Sequence, residues 1–282
     1  MSLAQPVLEI RDVVVEFGGL RALQLTELEV PPLAGVAALI MGPNGAGKST
    51  LLNLVSGYVG AKNGATARLH CFRNDGIDLL RLPKASVVRA GLARTFQLPP
   101  VFESITIRES IVLAARACES VVRCISLRKR NERVRELADI LIKRLELTEV
   151  ADACRSDFPL SVLRRAELGR CVATQPRLLL LDEPSAGSDA DDVGFLIGLL
   201  TCGLPKLVDS LHRRGAYRFP VLSIGVITHD LHLAHQLSGP MRNEPTVYFI
   251  HRGVCLVSGP LRRVLADQQV KDVYFGVRTT GP

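Results

Sequence analysis

Two stretches of this chain hold residues whose types and spacing suit phosphate chemistry. In GVAALIMGPNGAGKSTLLNLVSG (35–57) an apolar run passes into G-x-x-x-x-G-K-S and then into a helical pattern. Gly42, Gly45 and Gly47 permit backbone angles closed to other residues, so the loop Gly42-Pro43-Asn44-Gly45-Ala46-Gly47 can turn amides inward around a polyphosphate at a helix N-terminus. Lys48 would reach the β- and γ-phosphates, the Ser49 hydroxyl would ligate Mg²⁺, and Thr50 completes the nucleotide-binding set.

The second stretch is PRLLLLDEP (176–184). Four consecutive leucines fit a strand buried on both faces, ending in two carboxylates at the edge where open α/β sheets place ligands. Adjacent strand residues point opposite ways, which predicts different tasks for the two. Asp182 is the candidate metal partner, and Glu183 the candidate for polarising an attacking water. On the residues alone, an Asp-Glu pair after a strand also occurs as a plain loop start.

Elements that would position these residues follow from the pattern. Residues 7 to about 97 read as strands followed by the loop helix, and 176–260 as alternating buried strands and helices, together one α/β core. Between them helical periodicity dominates, and RKRNERVR (128–135) runs into a helix with Val134, Leu137, Leu141, Ile142 and Leu145 on one face. The segment TCGLPKLVDSLHRRGAYRFP (201–220) reads as a surface loop and an extended helix.

Composition narrows the class. At 282 residues, 47% hydrophobic with 5% aromatics, the chain has room for one large α/β domain without disulfides. The seven cysteines are scattered and never spaced C-x-x-C, which predicts reduced thiols and neither a disulfide framework nor a zinc site. No apolar run approaches the ~20 residues that span a bilayer, and the N-terminal stretch lacks a signal-peptide pattern. A net charge of +7 is compatible with nucleic acid, an anionic membrane surface or a simply basic protein. His229, His232 and His235 recur every three residues, a spacing that drifts around a helix and does not predict a metal site.

Taken in order, these stretches resemble the ATP-binding cassette (ABC) family. MGPNGAGKSTLLNLVSG looks like its Walker A motif, ARTFQ (93–97) its Q-loop, LLLLDEPSAG its Walker B motif and VITHD (226–230) its H-loop. FGGLRAL (17–23) and VKDVYFG (270–276) are similar to the subfamily of branched-chain amino-acid importers, with urea importers and lipopolysaccharide-export cassettes as relatives. The resemblance implies an α/β P-loop NTPase fold, a mixed sheet flanked by helices with an inserted helical subdomain. The core would span 7–97 and 166–282, and the subdomain 98–165.

It also implies residue roles. Phe17 would stack on adenine. Gln97 would present its amide to Mg²⁺ or water, and His229 would hydrogen-bond the γ-phosphate. Asp189 would reach across a dimer, although Ser188 stands where the family carries an apolar residue. Implied partners are a second ABC ATPase subunit, integral membrane permease subunits and, for an importer, a solute-binding protein. The implied place is peripheral, on the cytoplasmic face of the membrane. Nucleic acid is not expected as a partner, since a single cassette without long coiled-coil inserts differs from the soluble non-transport members.

One stretch departs from the family. Where an L-S-G-G-Q signature would hold the γ-phosphate of ATP bound to the opposite protomer, this chain has Leu160-Ser161-Val162-Leu163-Arg164 and is about two residues short. Ser161 is expected to cap the helix and donate a hydroxyl, with Arg164 and Arg165 supplying compensating charge. Loss of one preorganised donor costs about 3 kcal/mol, roughly a hundredfold in rate. Because a composite site takes its signature from the other chain, the damage predicts a heterodimer in which this chain's own ATP still meets intact residues.

Overall fold

The computed structural model describes residues 5–62, 64–70, 76–100, 104–119, 127–154, 158–239 and 244–275. Cys71, Cys124 and Gly276 lie outside them. Two antiparallel strands, β1 (Leu8–Phe17) and β2 (Leu20–Val30), lead into β3 (Gly35–Met41) and α1 (Lys48–Val55). Short strands β4 (Thr66–Leu69) and β5 (Ile77–Asp78) precede α2 (Lys84–Ala90) and β6 (Leu92–Arg94). Three helices follow, α3 (Ile107–Glu119), α4 (Leu127–Arg144) and α5 (Leu160–Ala173). The chain then forms β7 (Leu178–Asp182), α6 (Ala190–Gly198), α7 (Leu204–Arg213), β8 (Ser223–Thr228) and α8 (Leu231–Leu237). It closes with β9 (Thr246–His251), β10 (Val254–Gly259), α9 (Leu261–Ala266) and α10 (Gln268–Phe275).

Among the described residues, ten strands join one mixed sheet in the order β5-β4-β1-β2-β10-β9-β3-β8-β7-β6. Five of them, from β9 to β6, run parallel. The β1–β2 hairpin and its neighbours β4 and β5 are antiparallel, as is the β9–β10 hairpin, which the strand–helix alternation expected over 176–260 did not include. Residues of β7 feed the two faces alternately: Leu179 and Leu181 join the core shared with α3–α8, whereas Leu178 and Leu180 join the core shared with β1, β2 and α1. That double burial is why the strand reads as an unbroken apolar run.

Helix α4 buries Val134, Leu137, Leu141 and Ile142 along the anticipated face, with Leu145 buried just beyond it. Its basic start is the exposed side, which is the solvated-face reading of the 128–135 cluster. Helix α5 packs against both α3 and α4 and runs through residue 165, so the division placed there falls inside a helix.

The segment 201–220 holds the expected extended helix, α7, and after it an irregular stretch in which Arg214, Gly215 and Pro220 are exposed. Helices α6 and α7 continue as one 24-residue helix, Ala190–Arg213, joined by a π turn over Leu199–Gly203. Pro205 cannot donate a backbone hydrogen bond into the preceding turn, and a wider turn there lets the helix continue. Leu204, Val208, Leu211, Tyr217 and Phe219 are all buried, so the segment builds core. By length and composition this helix is long and apolar enough to cross a membrane, a test that a core helix also passes. Its buried leucines face the sheet core, and it is the one such helix among the described residues.

Candidate functional site

Strand register brings the catalytic candidates to one edge. Met41 at the end of β3 lies beside Thr228 at the end of β8, and Ile227 of β8 lies beside Asp182 at the end of β7. Thus β8 stands between the strand that leads into the glycine loop and the one that ends in the carboxylates. All three run parallel, so their C-terminal ends open on the same side.

The loop itself is held by close approaches. At Gly42, φ is 147° and an added Cβ would lie 2.0 Å from the Ile250 carbonyl oxygen; at Gly47, φ is 106° and a Cβ would lie 2.8 Å from the Ala22 carbonyl oxygen. Both positions therefore need glycine on steric as well as torsional grounds. Lys48 is buried and its Nζ donates to the carbonyls of Gly42 at 2.7 Å and Pro43 at 2.9 Å. Burial lowers its pKa, opposed by the nearby charges of Glu183 and Asp182. Ser49 is exposed and Thr50 half-buried at the start of α1, while Asn44 and Gly45 are exposed and Ala46 is buried beneath them.

Asp182 and Glu183 separate as expected, but not by strand alternation alone. Asp182 ends β7, and its N–H donates to the Thr95 hydroxyl at 3.1 Å. Burial raises its pKa, with Arg94 and Lys48 opposing and Glu183 reinforcing. Glu183 leaves the strand with φ at 47°, a left-handed conformation that costs a non-glycine residue about 1–2 kcal/mol. Its N–H donates to the Ile227 carbonyl at 2.9 Å, and its carboxylate meets Nδ1 of His229 at 2.9 Å. Side-chain exposure is 11% for Glu183 and 51% for His229, so the pair has a buried carboxylate under an accessible ring.

Other sequence candidates are arranged around this edge. Gln97 is exposed in the bend after β6. Phe17, at the end of β1, is 50% exposed, and its hairpin passes behind the loop at Ala22. His232 and His235 lie on α8, and among the described residues no group of three or more His, Cys, Asp or Glu side chains is placed to hold a metal. Among the described residues, Cys171, Cys202 and Cys255 are thiols outside any disulfide.

At the degenerate signature the structure corrects two expectations. Pro159 occupies the N-cap of α5, so Ser161 sits in the first turn and does not cap the helix. Arg164 and Arg165 turn onto their own chain. Arg164 donates from Nη1 to the Pro184 carbonyl at 3.1 Å and to the Ser188 hydroxyl at 2.9 Å. Arg165 bridges Glu146 at 2.9 Å and Asp192 at 2.7 Å, with its guanidinium over the Phe195 ring. Neither is left as a free cation beside the helix start. Asp189 accepts the Asp192 N–H at 2.8 Å and caps α6, an intrachain task that the sequence did not announce.

Several contributors escaped the motif reading. Arg94 is half-buried near Asp182 and donates to Asn53 of α1 at 2.8 Å. Thr95 supports the Asp182 amide, and Glu167, buried in α5, accepts the Phe96 N–H at 2.9 Å. The first two directly precede Phe96-Gln97 in the ARTFQ string, which was the available signal.

Whether the set fits Mg²⁺ can be judged from donor chemistry. Ser49, Asp182 and Gln97 offer hydroxyl, carboxylate and amide oxygen, with no sulfur or imidazole among them, and such hard donors suit a cation that retains water and phosphate ligands.

Comparisons with known proteins identify the family. A family model described as "ABC transporter" matches residues 26–186, more than half of the chain. The high-affinity branched-chain amino acid transport ATP-binding protein BraF of Pseudomonas aeruginosa is 28% identical over 283 residues, covering 97% of this chain and 99% of that protein. LivG of Escherichia coli, with the same descriptive name, is 28% identical over 280 residues, again covering 97% and 99%. Among solved structures, an ATP-binding cassette of an ABC transporter in its ADP conformation superposes with TM-score 0.71 at 23% identity, covering 96% of this chain and 99% of that one.

Proposed function

The chain belongs to the ABC transporter family, and on that premise we propose that it is the ATP-hydrolysing subunit of a transporter, driving a membrane permease from the cytoplasmic face. The observation that carries this reading is the meeting of Lys48, Asp182, Glu183 and His229 where three parallel strands end, with Glu183 already held by His229. Branched-chain amino acids are the proposed cargo, because proteins similar over nearly the whole chain serve that transport.

In this mechanism the loop amides and Lys48 bind the phosphates, and Phe17 stacks on the base. Glu183 accepts a hydrogen bond from the attacking water, and its burial keeps competing water away. His229 donates from Nδ1 to Glu183 and so fixes the carboxylate; it can donate to the γ-phosphate from Nε2 at the same time only as the imidazolium. Ser49, Gln97 and Asp182 would hold Mg²⁺, which when bound neutralises developing phosphate charge. Residues between about 98 and 165 would act as the helical subdomain that meets the permease, and closure on nucleotide followed by reopening would transmit the stroke.

Pairing with a second, different cassette is part of the proposal. Val162 and Leu163 stand where small residues would let amides approach a partner's phosphate, so two copies of this chain would inherit the fault twice. ATPase turnover of the purified chain should rise when the second cassette is added; equal turnover with and without it overturns the heterodimer. Affinity capture from solubilised membranes should recover integral membrane subunits, and recovery of ribosomes or RNA in their place overturns the transport reading.

A further inference from the structure

Helix α5 carries two polar side chains that the proposed mechanism does not use, and both line a cleft that reaches Asp182. Arg164 and Glu167 are three residues apart, hence neighbours on one helix face. They line one cleft with Thr95, Phe96, Asp182 and Pro184. Glu167 takes the N–H of Phe96, the residue before Gln97. Arg164 takes the carbonyl of Pro184, the residue after Glu183, and the hydroxyl of Ser188. The two departures from the family pattern, Arg164 in the signature and Ser188 before Asp189, are therefore in contact with each other.

We infer that Arg164 and Glu167 are positioning residues for hydrolysis in this chain's own site, Glu167 setting the loop that bears Gln97 and Arg164 setting the turn that bears Glu183. The inference rests on the proposed roles of Glu183 and Gln97. It assigns to the altered helix start a service to the ATP held by its own chain.

Geometry explains why both grips matter. Gln97 is exposed, so its placement depends on its backbone, and the fixed Phe96 amide is one residue away. Glu183 sits in a left-handed turn that tertiary contacts must hold. Its own N–H is tied to β8 on one side, and the next carbonyl is tied to Arg164 on the other. A misplacement of about 1 Å in such groups can cost roughly a hundredfold in rate. Burial disfavours the ionised form of Glu167, while the Phe96 N–H and the charges of Arg170, Arg164 and Arg94 favour it. Arg164 itself faces Glu167 and Asp192, which oppose the effect of its own burial.

The test uses the full chain purified with the subunits that accompany it from its native membranes. Glu167→Leu removes the acceptor at similar volume, and Arg164→Ala removes the fork; each should lower kcat about tenfold or more with the KM for ATP within roughly twofold. Glu167→Gln keeps an acceptor and should restore most of the rate. Should Arg164→Ala fail to fold, Arg164→Lys and Ser188→Ala carry the test, each expected to lower kcat while ATP affinity holds.

Unchanged kcat in these variants overturns the inference. So does a parallel loss of kcat, ATP affinity and thermal midpoint that Glu167→Gln does not rescue, since that is the result of a merely structural role. Glu183→Gln is measured alongside: full turnover in it defeats the proposed site itself, whereas its inactivity beside active α5 variants defeats the α5 inference alone.

Discussion

Where the parallel strands end, phosphate would be met by backbone: a loop closed around glycines, one lysine folded onto its carbonyls, and a carboxylate pinned between β8 and His229. At the start of α5, where the family meets phosphate in the same manner, this chain presents Val162, Leu163 and two arginines turned inward. In the first region glycines bring backbone close around Lys48, and in the second the arginines are engaged in internal contacts. A helix start can thus lose its ligand chemistry while the residues one turn further on gain a task in the adjacent site.

Experiments that break or sharpen this contrast differ in size. The largest effect is expected from Glu183→Gln, which should reduce ATP turnover by about a thousandfold with nucleotide still bound. A single-turnover measurement on the assembled complex checks it, and near-normal turnover would move the working site elsewhere. Next comes the buried middle of α5. Burial raises the Glu167 pKa from 4.5 to about 7, so the folded state binds its proton more tightly than the unfolded chain. This contribution to stability is complete below about pH 4.5 and is lost as pH rises through about 7. The full contribution, about 3 kcal/mol, falls away across that window. Denaturation of Glu167→Gln at pH 5 and pH 8 should lack that component, and an identical pH dependence in both proteins would show that the carboxyl does not titrate there.

Restoring small residues to the helix start sharpens the contrast from the other side. The double variant Val162→Gly, Leu163→Gly should raise turnover at the partner's ATP by up to about a hundredfold. It should also lower stability by about 1 kcal/mol per glycine. No gain in the heterodimer would mean that this end of α5 never faces phosphate. The smallest effect belongs to Asp189→Ala, which removes the α6 cap and should cost about 1 kcal/mol in thermal or chemical denaturation. A much larger loss of turnover than of stability would return Asp189 to the cross-dimer role.

Legibility in the sequence followed distance along the chain. The glycine loop and the leucine strand were readable because their chemistry is local: a turn and a helix start within a few residues, and a strand whose burial shows as four leucines. Contacts between remote segments were not. Glu167 and Phe96 are 71 positions apart, His229 and Glu183 are 46 apart, and both pairings exist only through strand order and the seating of α5. Ser161 misled because a serine near a helix start resembles a cap, whereas Pro159 two residues earlier fixes where the helix begins. The helix and loop of 201–220 were legible, but not the wide turn over Leu199–Gly203 that joins this helix to α6.

That wide turn has a mechanical consequence. Each residue in a helix advances the azimuth by about 100°, so a local change in winding acts as a phase adjuster between α6 and α7. Upstream, it preserves the heading set at the Asp189 cap; downstream, it aims Leu204, Val208 and Leu211 at the sheet. The carbonyl of Leu200 and the ring of Pro205 lie against Gly35, the first residue of the strand that leads to the glycine loop. Deleting one residue between 199 and 203 would rotate that hydrophobic stripe by about a quarter turn, and the misalignment would be felt first at the root of the nucleotide-binding strand.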